Sequence, residues 1–353
     1  MGAERSVCGS GSLQPRQARH SQRVAQRQRR CDFHRPSVRH ERRPHGRPRA
    51  DRGQTPWRQE SRLHHVHRRR HGCCRPVRGR VVPDGVSKTK VVETAQDGHV
   101  RTITLNRPEK KNAISDELGW AVVGAVEEAA ADESVWVIAL TGAGDAFCAG
   151  LDLTAERNPS LAPHSAQDVQ LDDIGWVGRF VTVLRQRCDK PIVAGVNGAA
   201  VGAGLSLAMA ADIRIVARGA KLMAGYTRIG GSPDGGLSWT LGQAIGYEQA
   251  MRFMLENRTV QGEEAVQLGM AGEVVDDDQV GTRLAEYCQS LAQWSPITTR
   301  LTKRAIGRAT TGIDVEQHLR FELANIRRAF ASEDAQECRA AFLEKRKPVI
   351  KGR

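Results

Sequence analysis

The sequence predicts an α/β fold for most of the chain, and three observations support this prediction. Residues 136–142 form an uninterrupted, mainly apolar run, which is typical of a strand covered by helices on both faces. A second apolar strand, residues 191–196, leads into a run of small residues and then into an apolar helix. Strand patterns alternate with helical patterns from residue 89 onward, and this alternation indicates a layered α/β architecture.

The positive charge of the 353-residue chain is concentrated at one end, although the whole chain has a formal net charge of +13. Residues 1–85 contain 22 Arg, no Lys and 6 acidic residues, which gives +16, whereas the remainder carries −3. Few large apolar residues occur before residue 88, so residues 1–87 are predicted to be a disordered Arg-rich extension. It is a nucleic-acid-binding arm, a transit peptide, or sequence that is not part of the native protein. The near-neutral body gives no reason to expect a nucleic-acid substrate.

Cysteine spacing and hydropathy indicate the compartment. Four of the eight cysteines lie in the Arg-rich extension and the other four are widely scattered, so they form no disulfide framework. The chain also lacks an apolar run of the ~18 to 20 residues that a membrane-spanning helix needs. We therefore expect a soluble, cytoplasmic protein without a membrane partner.

The body opens with a hairpin and a helix. Residues 91–94 and 100–105 alternate between apolar and polar side chains on either side of an Asp-Gly turn, which predicts a β-hairpin. Ser115 has the position of a helix N-cap, and its helix runs to about Ala131. The apolar strand 136–142 follows.

Later elements are mainly helical, with short strands between them. A helix over residues 168–188 leads into the strand that Pro191 begins. Two short strands are predicted at residues 212–216 and 221–224. The remaining predicted helices cover residues 237–245, 247–256, 262–268, 278–294, 315–330 and 332–345, with a strand at 273–275 and a helix that begins near Pro296.

The run of small residues from Asn197 to Ser206 has two interpretations. Glycines at a helix N-terminus leave backbone N–H groups that a ligand atom can approach closely. Close packing of a helix against a strand favours the same composition. The run by itself leaves both interpretations open.

Four motifs stand in order along the body. They are Asn106-Arg107-Pro108-x3-Asn112-Ala113, Phe147-Cys148-Ala149-Gly150-Leu151-Asp152-Leu153, Asn197-Gly198-x3-Gly202-x-Gly204 and Pro233-x-Gly235-Gly236. Together they resemble the crotonase (enoyl-CoA hydratase/isomerase) superfamily over about residues 88–350. The resemblance implies a crotonase-like ββα-spiral core over residues 88–290 and a C-terminal helical region, residues 291–353, for trimerisation and closure of the coenzyme A pocket. It also implies an acyl-CoA substrate, a homotrimer or a hexamer of two trimers, and neither a metal nor a redox cofactor.

The resemblance further implies where a thioester carbonyl binds. The enolate-like oxygen formed during reaction would lie between two backbone N–H groups, those of Leu151 and Ala203. Leu151 follows Ala149-Gly150, and Ala203 lies between Gly202 and Gly204. Each preorganised donor of this kind is worth ~2.7 to 4 kcal/mol in comparable sites.

Side chains for the rest of the substrate follow from the same resemblance. Coenzyme A phosphates and adenine would meet the loop at Lys110 and Lys111. Tyr226 and Arg228 are candidates for lining the acyl pocket, with packing or surface roles as the alternative. Cys148 lies beside the predicted oxyanion loop, but a buried structural thiol is the favoured interpretation.

The acid–base residues depart from the hydratase pattern. Hydratases use two glutamates to handle water, and the matching positions here are Ser206 and Tyr226, neither of which can act as a carboxylate base. Asp234 instead matches the aspartate of enoyl-CoA isomerases. A carboxylate in an apolar acyl pocket would bind a proton more tightly, which suits a base. The resemblance therefore implies double-bond isomerisation with Asp234 as base and argues against simple hydration.

Three alternatives stay open. Asp234 also matches the nucleophile of 4-chlorobenzoyl-CoA dehalogenase, so the chain could be a dehalogenase-like or hydrolytic acyl-CoA enzyme. That enzyme's base histidine and pocket tryptophan, however, correspond to Arg179 and Tyr226. Asp234 could instead be an ordinary turn or N-cap residue before the next helix. Finally, the chain could be a non-catalytic acyl-CoA- or RNA-binding homologue whose contact surface is the Arg-rich extension.

Overall fold

A computed structural model of the chain describes residues 90–156, 158, 172 and 174–353. These residues belong to one unit of the chain, which spans residues 82–353. The Arg-rich extension, residues 1–87, lies outside the described residues, as does much of the first part of the predicted helix 168–188.

Ten strands, which form two sheets, run through the described residues. They are β1 (Val92–Asp97), β2 (Val100–Leu105), β3 (Val137–Gly142), β4 (Ala146–Cys148), β5 (Ile192–Val196), β6 (Ala199–Val201), β7 (Ile213–Ala217), β8 (Lys221–Met223), β9 (Thr259–Gln261) and β10 (Glu273–Val275).

The larger sheet has the strand order β1-β2-β3-β5-β7-β10. β1 and β2 pair antiparallel, with Asp97 opposite Val100, which confirms the predicted hairpin. Every later pair in this sheet is parallel. All five residues of β5 are buried, as expected of a strand covered on both faces.

The smaller sheet has the order β4-β6-β8-β9, and β4, β6 and β8 are parallel neighbours. Strand β6 corrects one prediction, because the small-residue run Asn197–Ser206 does not all lie at a helix N-terminus. Its first part extends into β6, and the helix begins only at Ala203. Three small residues that pair with both β4 and β8 form this strand, and so short a segment shows no alternation in the sequence.

Ten α-helices lie in the described residues and agree well with the predicted positions. Ser115 caps the first of them by accepting a hydrogen bond from the Leu118 N–H at 3.3 Å, as predicted. They are α1 (Asp116–Ala131), α2 (Gly175–Val181), α3 (Ala203–Ala210), α4 (Leu237–Ile245), α5 (Tyr247–Leu255), α6 (Gly262–Leu268), α7 (Val280–Leu291), α8 (Pro296–Ala309), α9 (Val315–Phe330) and α10 (Glu333–Leu343).

Helix α3 lies at the centre of the core, and all eight of its residues are buried. α2 continues as a π-helical stretch, Thr182–Arg187, before the chain enters β5. No helix in the described part of the chain has both the length and the apolarity that crossing a bilayer needs.

The C-terminal helices pack against the core through α8. The Lys303 ammonium donates to the carbonyl oxygens of Leu184 (2.6 Å) and Lys190 (2.9 Å), and it pairs with Asp212 at 2.7 Å. A cavity of about 890 Å³ lies between α8, α9, α10 and the core. None of the four sequence motifs lines this cavity, so it is distinct from the region that the motifs form.

Candidate active site

The segments that carry Leu151 and Ala203 leave neighbouring strands of the smaller sheet. β4 pairs in parallel with β6, and Cys148 is opposite Ala200. Parallel strands end at the same edge of a sheet, so the chain after β4 meets the chain after β6. A Cβ atom built on Gly150 would lie only 3.9 Å from the Ala203 nitrogen. The structure therefore brings the two predicted donors together.

The N–H group of Leu151 is turned away from the hydrogen bonds that fix its neighbours. The Ile114 N–H donates to the Gly150 carbonyl at 2.7 Å, and the Asp152 N–H donates to the Ile114 carbonyl at 3.0 Å. This parallel bridge uses the groups on either side of Leu151 and leaves its own N–H on the opposite side. Within the described residues that N–H donates to no other group.

The N–H group of Ala203 also donates to no group in the described part of the chain, for a different reason. Ala203 is the first residue of α3, so no carbonyl one turn earlier belongs to the same helix. Gly202 occupies the N-cap position and supplies no side-chain cap. The positive end of the helix dipole lies at this point and favours negative charge.

Glycines permit the close approach of these two segments. Gly150 has φ of 96°, and a Cβ there would lie 2.7 Å from the Val201 carbonyl oxygen. A Cβ on Gly204 would overlap the Cys148 carbonyl oxygen. The small residues therefore serve close packing, and that packing also brings two free N–H groups side by side.

Asn112 anchors the loop before α1 to the start of β4. Its side chain is fully buried, and its Oδ1 accepts a hydrogen bond from the Arg107 N–H at 2.9 Å. Its Nδ2 donates to the carbonyl oxygens of Ala143 at 2.9 Å and Ala146 at 2.8 Å. The first motif thus holds the strand that leads to Leu151.

An ion pair between Arg107 and Asp152 joins the first motif to the second, and the sequence did not reveal it. The guanidinium lies 3.0 Å from Asp152 Oδ2 and also donates to the Ala113 carbonyl at 2.6 Å. The hydroxyl of Thr154 donates to Asp152 Oδ1 at 2.7 Å. Despite the opposing effect of burial, the Thr154 hydroxyl, helped by Arg107, lowers the pKa of Asp152 to about 2. Opposite charges in two motifs were the available signal for this pair.

Asp234, Tyr226 and Ser206 form one hydrogen-bonded group at the first turn of α3. The Tyr226 hydroxyl donates to Asp234 Oδ1 at 2.8 Å. Ser206 Oγ lies 3.0 Å from that hydroxyl and 3.1 Å from the Asp234 carbonyl oxygen. Ser206 is fully buried and Tyr226 is 7% exposed. Burial raises the pKa of Tyr226, so its phenol stays neutral and can donate.

The surroundings of Asp234 correct two expectations. Asp234 is exposed, so it does not lie inside an apolar pocket formed by the described residues. Gly235 and Gly236 both have positive φ, which turns the chain sharply between Asp234 and α4. The N-cap interpretation is also wrong, since Gly236 occupies that position and no side chain caps α4.

Arg179 lies on the side of α2 opposite this loop. It pairs with Asp172 at 3.0 Å, and its guanidinium carbon lies 5.6 Å from the centroid of the Trp120 ring. Contact with the loop comes from other residues of α2, because a Cβ on Gly235 would lie 3.4 Å from Val177 Cγ2. The position that matches the dehalogenase's base histidine therefore faces away from Asp234.

The other predicted site residues lie in simpler surroundings. Lys110 and Lys111 are exposed; Lys110 contacts the Thr154 hydroxyl at 3.3 Å, and Lys111 pairs with Asp145 at 2.5 Å. Arg228 is exposed on the 3₁₀ turn that begins with Tyr226, and Ala149 is exposed beside Gly150. Cys148 is buried, which raises the pKa of its thiol to about 12, as expected of a structural residue.

Comparison with known proteins gives matches over nearly the whole described body. The family model for enoyl-CoA hydratase/isomerase matches residues 95–353. The 1,2-epoxyphenylacetyl-CoA isomerase of Escherichia coli is 35% identical over 257 residues, covering 72% of this chain and 95% of the relative. A Mycobacterium tuberculosis protein named Probable enoyl-CoA hydratase echA14 is 38% identical over 225 residues, covering 63% of this chain and 84% of that protein. The crystal structure of an enoyl-CoA hydratase from Bacillus anthracis aligns with a TM-score of 0.67 at 28% identity, covering 74% of this chain and 100% of that one.

Proposed function

The chain belongs to the enoyl-CoA hydratase/isomerase family, and on this premise we propose that it moves a double bond within an acyl-CoA thioester, with Asp234 as the base. The observation that carries the proposal is the position of Asp234 beside the first turn of α3. Ser206 lies three residues after Ala203, and its hydroxyl contacts the Asp234 main chain at 3.1 Å. Base and oxyanion donor are thus within about one helical turn of each other.

The proposed reaction is a proton shift between two carbons of the acyl chain. In a 3-enoyl thioester, Asp234 removes a proton from C2, and the electron pair of that C–H bond moves toward the thioester carbonyl oxygen. The N–H groups of Leu151 and Ala203 stabilise the resulting negative charge. Asp234 then returns the proton to C4, which leaves the double bond between C2 and C3, so no atom is gained or lost.

The hydrogen bonds of Asp234 support this role. Its Oδ1 accepts from Tyr226, whereas Oδ2 accepts from no group among the described residues. One oxygen is therefore fixed while the other is free to take a proton, as a general base requires.

Hydration is the less well supported reaction, although two of the similar proteins described above are named as hydratases. The two positions that carry glutamates in hydratases hold the hydroxyl groups of Ser206 and Tyr226 here. Burial raises the pKa of Tyr226, which keeps it from acting as a base. Lys110 and Lys111 remain the proposed coenzyme A contacts, and Arg228 remains a proposed contact of a polar acyl group, because each is exposed next to the site.

The full chain and its Asp234→Asn variant, incubated with a short-chain 3-enoyl-CoA, test this proposal. Absorbance of the conjugated product measures isomerisation. We expect the amide to lower kcat by about 10² to 10⁴, the usual contribution of a general base. Asp278→Asn, which changes an exposed aspartate outside the four motifs, is the matched control and should retain activity.

Other substrates distinguish the competing reactions. Chloride release from 4-chlorobenzoyl-CoA, together with a covalent adduct at Asp234, would show that Asp234 acts as a nucleophile rather than as a base. Addition of water to a 2-enoyl-CoA would favour hydration. Conversion of 1,2-epoxyphenylacetyl-CoA would show that the chain acts on the substrate for which its Escherichia coli relative is named. Binding without turnover of any of these thioesters would indicate a non-catalytic homologue.

A further inference from the structure

We propose that Tyr226 and Ser206 are positioning residues that connect Asp234 to the Ala203 N–H, so that base and oxyanion donor respond to each other. This inference rests on the proposed function. The connection runs from Asp234 Oδ1 to the Tyr226 hydroxyl (2.8 Å), to Ser206 Oγ (3.0 Å) and to the Gly202 carbonyl oxygen (3.1 Å). That carbonyl and the Ala203 N–H are the two ends of one peptide group.

The connection is well shielded along most of its length. Ser206 is fully buried and Tyr226 is 7% exposed, so water does not compete strongly for their hydroxyl groups. Only the carboxylate end reaches solvent. Hydrogen bonds in such surroundings polarise one another more than they do in water.

The two hydroxyl groups have one hydrogen each, and this count gives the connection a direction. When Asp234 is ionised, its carboxylate attracts the Tyr226 hydrogen. The Ser206 hydrogen is then shared among Tyr226 (3.0 Å) and the carbonyl oxygens of Gly202 and Asp234, both at 3.1 Å. When Asp234 has taken the substrate proton, its Oδ1 becomes a weaker acceptor. Tyr226 can then donate to Ser206, which leaves the Ser206 hydrogen to the two carbonyl oxygens and strengthens its bond to Gly202. Each hydrogen stays on its own oxygen, so no proton moves along the connection.

The connection makes the strength of the Ala203 N–H as a donor depend on the stage of the reaction. A stronger hydrogen bond to the Gly202 carbonyl polarises the peptide group and strengthens the Ala203 N–H as a donor. This strengthening comes when Asp234 is protonated, which is also when the thioester oxygen is negative. Ser206 and Tyr226, at the two positions where hydratases carry glutamates, thereby gain a role in proton transfer without touching the substrate.

The charged groups around Asp234 leave Tyr226 as its direct partner. The 3₁₀ turn that begins with Tyr226 carries Arg228, whose side chain is exposed, and α2 carries Arg179, which is paired with Asp172. Helices α3 and α4 contain no charged residue. Helix α5, which packs against the 3₁₀ turn, carries Glu248 and Arg252, and Arg252 pairs with Glu256.

Three full-chain variants test the connection: Tyr226→Phe, Ser206→Ala and the double variant. We expect each single variant to lower kcat about tenfold with little change in KM, since a buried hydrogen bond to a charged or polarised group is lost. The double variant should lose little more than either single one, because the two residues act in series.

Matched controls remove hydroxyl groups outside the connection. Tyr287→Phe removes a phenol from the second half of α7. Thr240→Val removes a buried hydroxyl from α4, whose partners among the described residues are the Gly236 and Leu237 carbonyls. If Asp234→Asn is fully active, the proposed function is wrong. If Asp234→Asn is inactive while Tyr226→Phe and Ser206→Ala match the controls, the connection alone is wrong.

A spectroscopic measurement does not depend on how the Tyr226→Phe and Ser206→Ala variants fold. The chain has three tyrosines, so fluorotyrosine labelling gives three ¹⁹F signals, which Tyr247→Phe and Tyr287→Phe assign. The Tyr226 signal should shift in Asp234→Asn, because its hydroxyl donates to the carboxylate at 2.8 Å, whereas the other two signals should stay in place. A Tyr226 signal that Asp234→Asn leaves unmoved would overturn the inference.

Discussion

Gly150 is a residue at which the proposed oxyanion hole is sensitive to substitution. With φ of 96° and only 2.7 Å from a built Cβ to the Val201 carbonyl oxygen, Gly150→Ala strains the backbone and forces the two segments apart. We expect a loss of roughly 1 to 3 kcal/mol in the free energy of unfolding, together with a lower kcat. Denaturant unfolding and the isomerase assay measure the two effects.

Gly124→Ala is the control for that substitution. Gly124 is exposed on α1, and a Cβ there meets no atom within 4 Å. Alanine should raise the free energy of unfolding by about 0.5 to 1 kcal/mol, because glycine is the poorer helix former. Equal responses at the two glycines would show that the Gly150 backbone is not constrained as described.

Asp152 makes the loop next to Leu151 dependent on pH. Its pKa in the folded protein is about 2, below the ordinary value of about 3.9. The carboxylate therefore contributes stability that is complete above pH ~4 and is lost as the pH falls toward 2. Asp152→Asn should remove on the order of 1 kcal/mol at neutral pH and less at pH 2, as urea unfolding across this range would show. A loss that is the same at both pH values would contradict the assignment.

At the scale of elements, Lys190 stabilises the end of α1 from another part of the chain. Its side chain is almost fully buried, and the ammonium donates to the Ala129 carbonyl at 2.7 Å and also to the Asp132 carbonyl. Helix α1 has no basic residue in its own last turn. Lys190→Met should lower the free energy of unfolding by about 1 to 3 kcal/mol, because buried carbonyls lose their donor.

Lys221→Met is the control for Lys190, since Lys221 is exposed on β8. Hydrogen exchange adds a local measurement, and protection should fall in the last turn of α1 in the Lys190 variant only. Unchanged exchange there would show that α1 does not depend on this lysine.

The sequence is most informative about elements whose signal is local. The cap at Ser115 and the apolar period after it were enough to predict α1, and the bounds of α4, α6 and α9 match their predictions. Three-residue strands carry too little pattern for dependable prediction: β8 and β10 were predicted, whereas β4, β6 and β9 were missed.

Prediction of the site from the sequence is limited by contacts between residues that are far apart along the chain. The resemblance supplied Leu151, Ala203 and Asp234, and the structure brings all three to one region. The bond between Tyr226 and Asp234 and the exposure of Asp234 depend on how the loop packs against α3, which no local pattern encodes. The division of the chain at residues 87 and 290 stays a prediction.

At the scale of the whole molecule, one face of α9 predicts self-association. Large apolar side chains at helical spacing form a stripe along this helix, and each of them is 45% to 70% exposed. A contiguous apolar surface marks an interaction site, whereas single scattered apolar residues do not. The stripe consists of Val315, Leu319, Leu323, Ile326 and Phe330.

We expect this stripe to contribute to the homotrimer, or dimer of trimers, that the family resemblance implies. Leu323→Glu places a charge at its centre and should shift the protein toward monomers in size-exclusion chromatography with light scattering. Gln317→Glu adds the same charge on the opposite side of α9 and should leave the assembly unchanged. A monomeric parent chain, or equal behaviour of the two variants, would contradict this role.

The proposed donors at Leu151 and Ala203 are main-chain atoms, and this has a consequence for how the protein can change. A codon change at either position keeps the N–H unless it introduces proline, so mutation can distort this part of the site but rarely delete it. The side chains at positions 206, 226 and 234 have no such protection. New reactivity can therefore arise when these three side chains change while the two main-chain donors stay in place. Ser206→Glu combined with Tyr226→Glu is the natural starting point for redesigning this chain toward hydration.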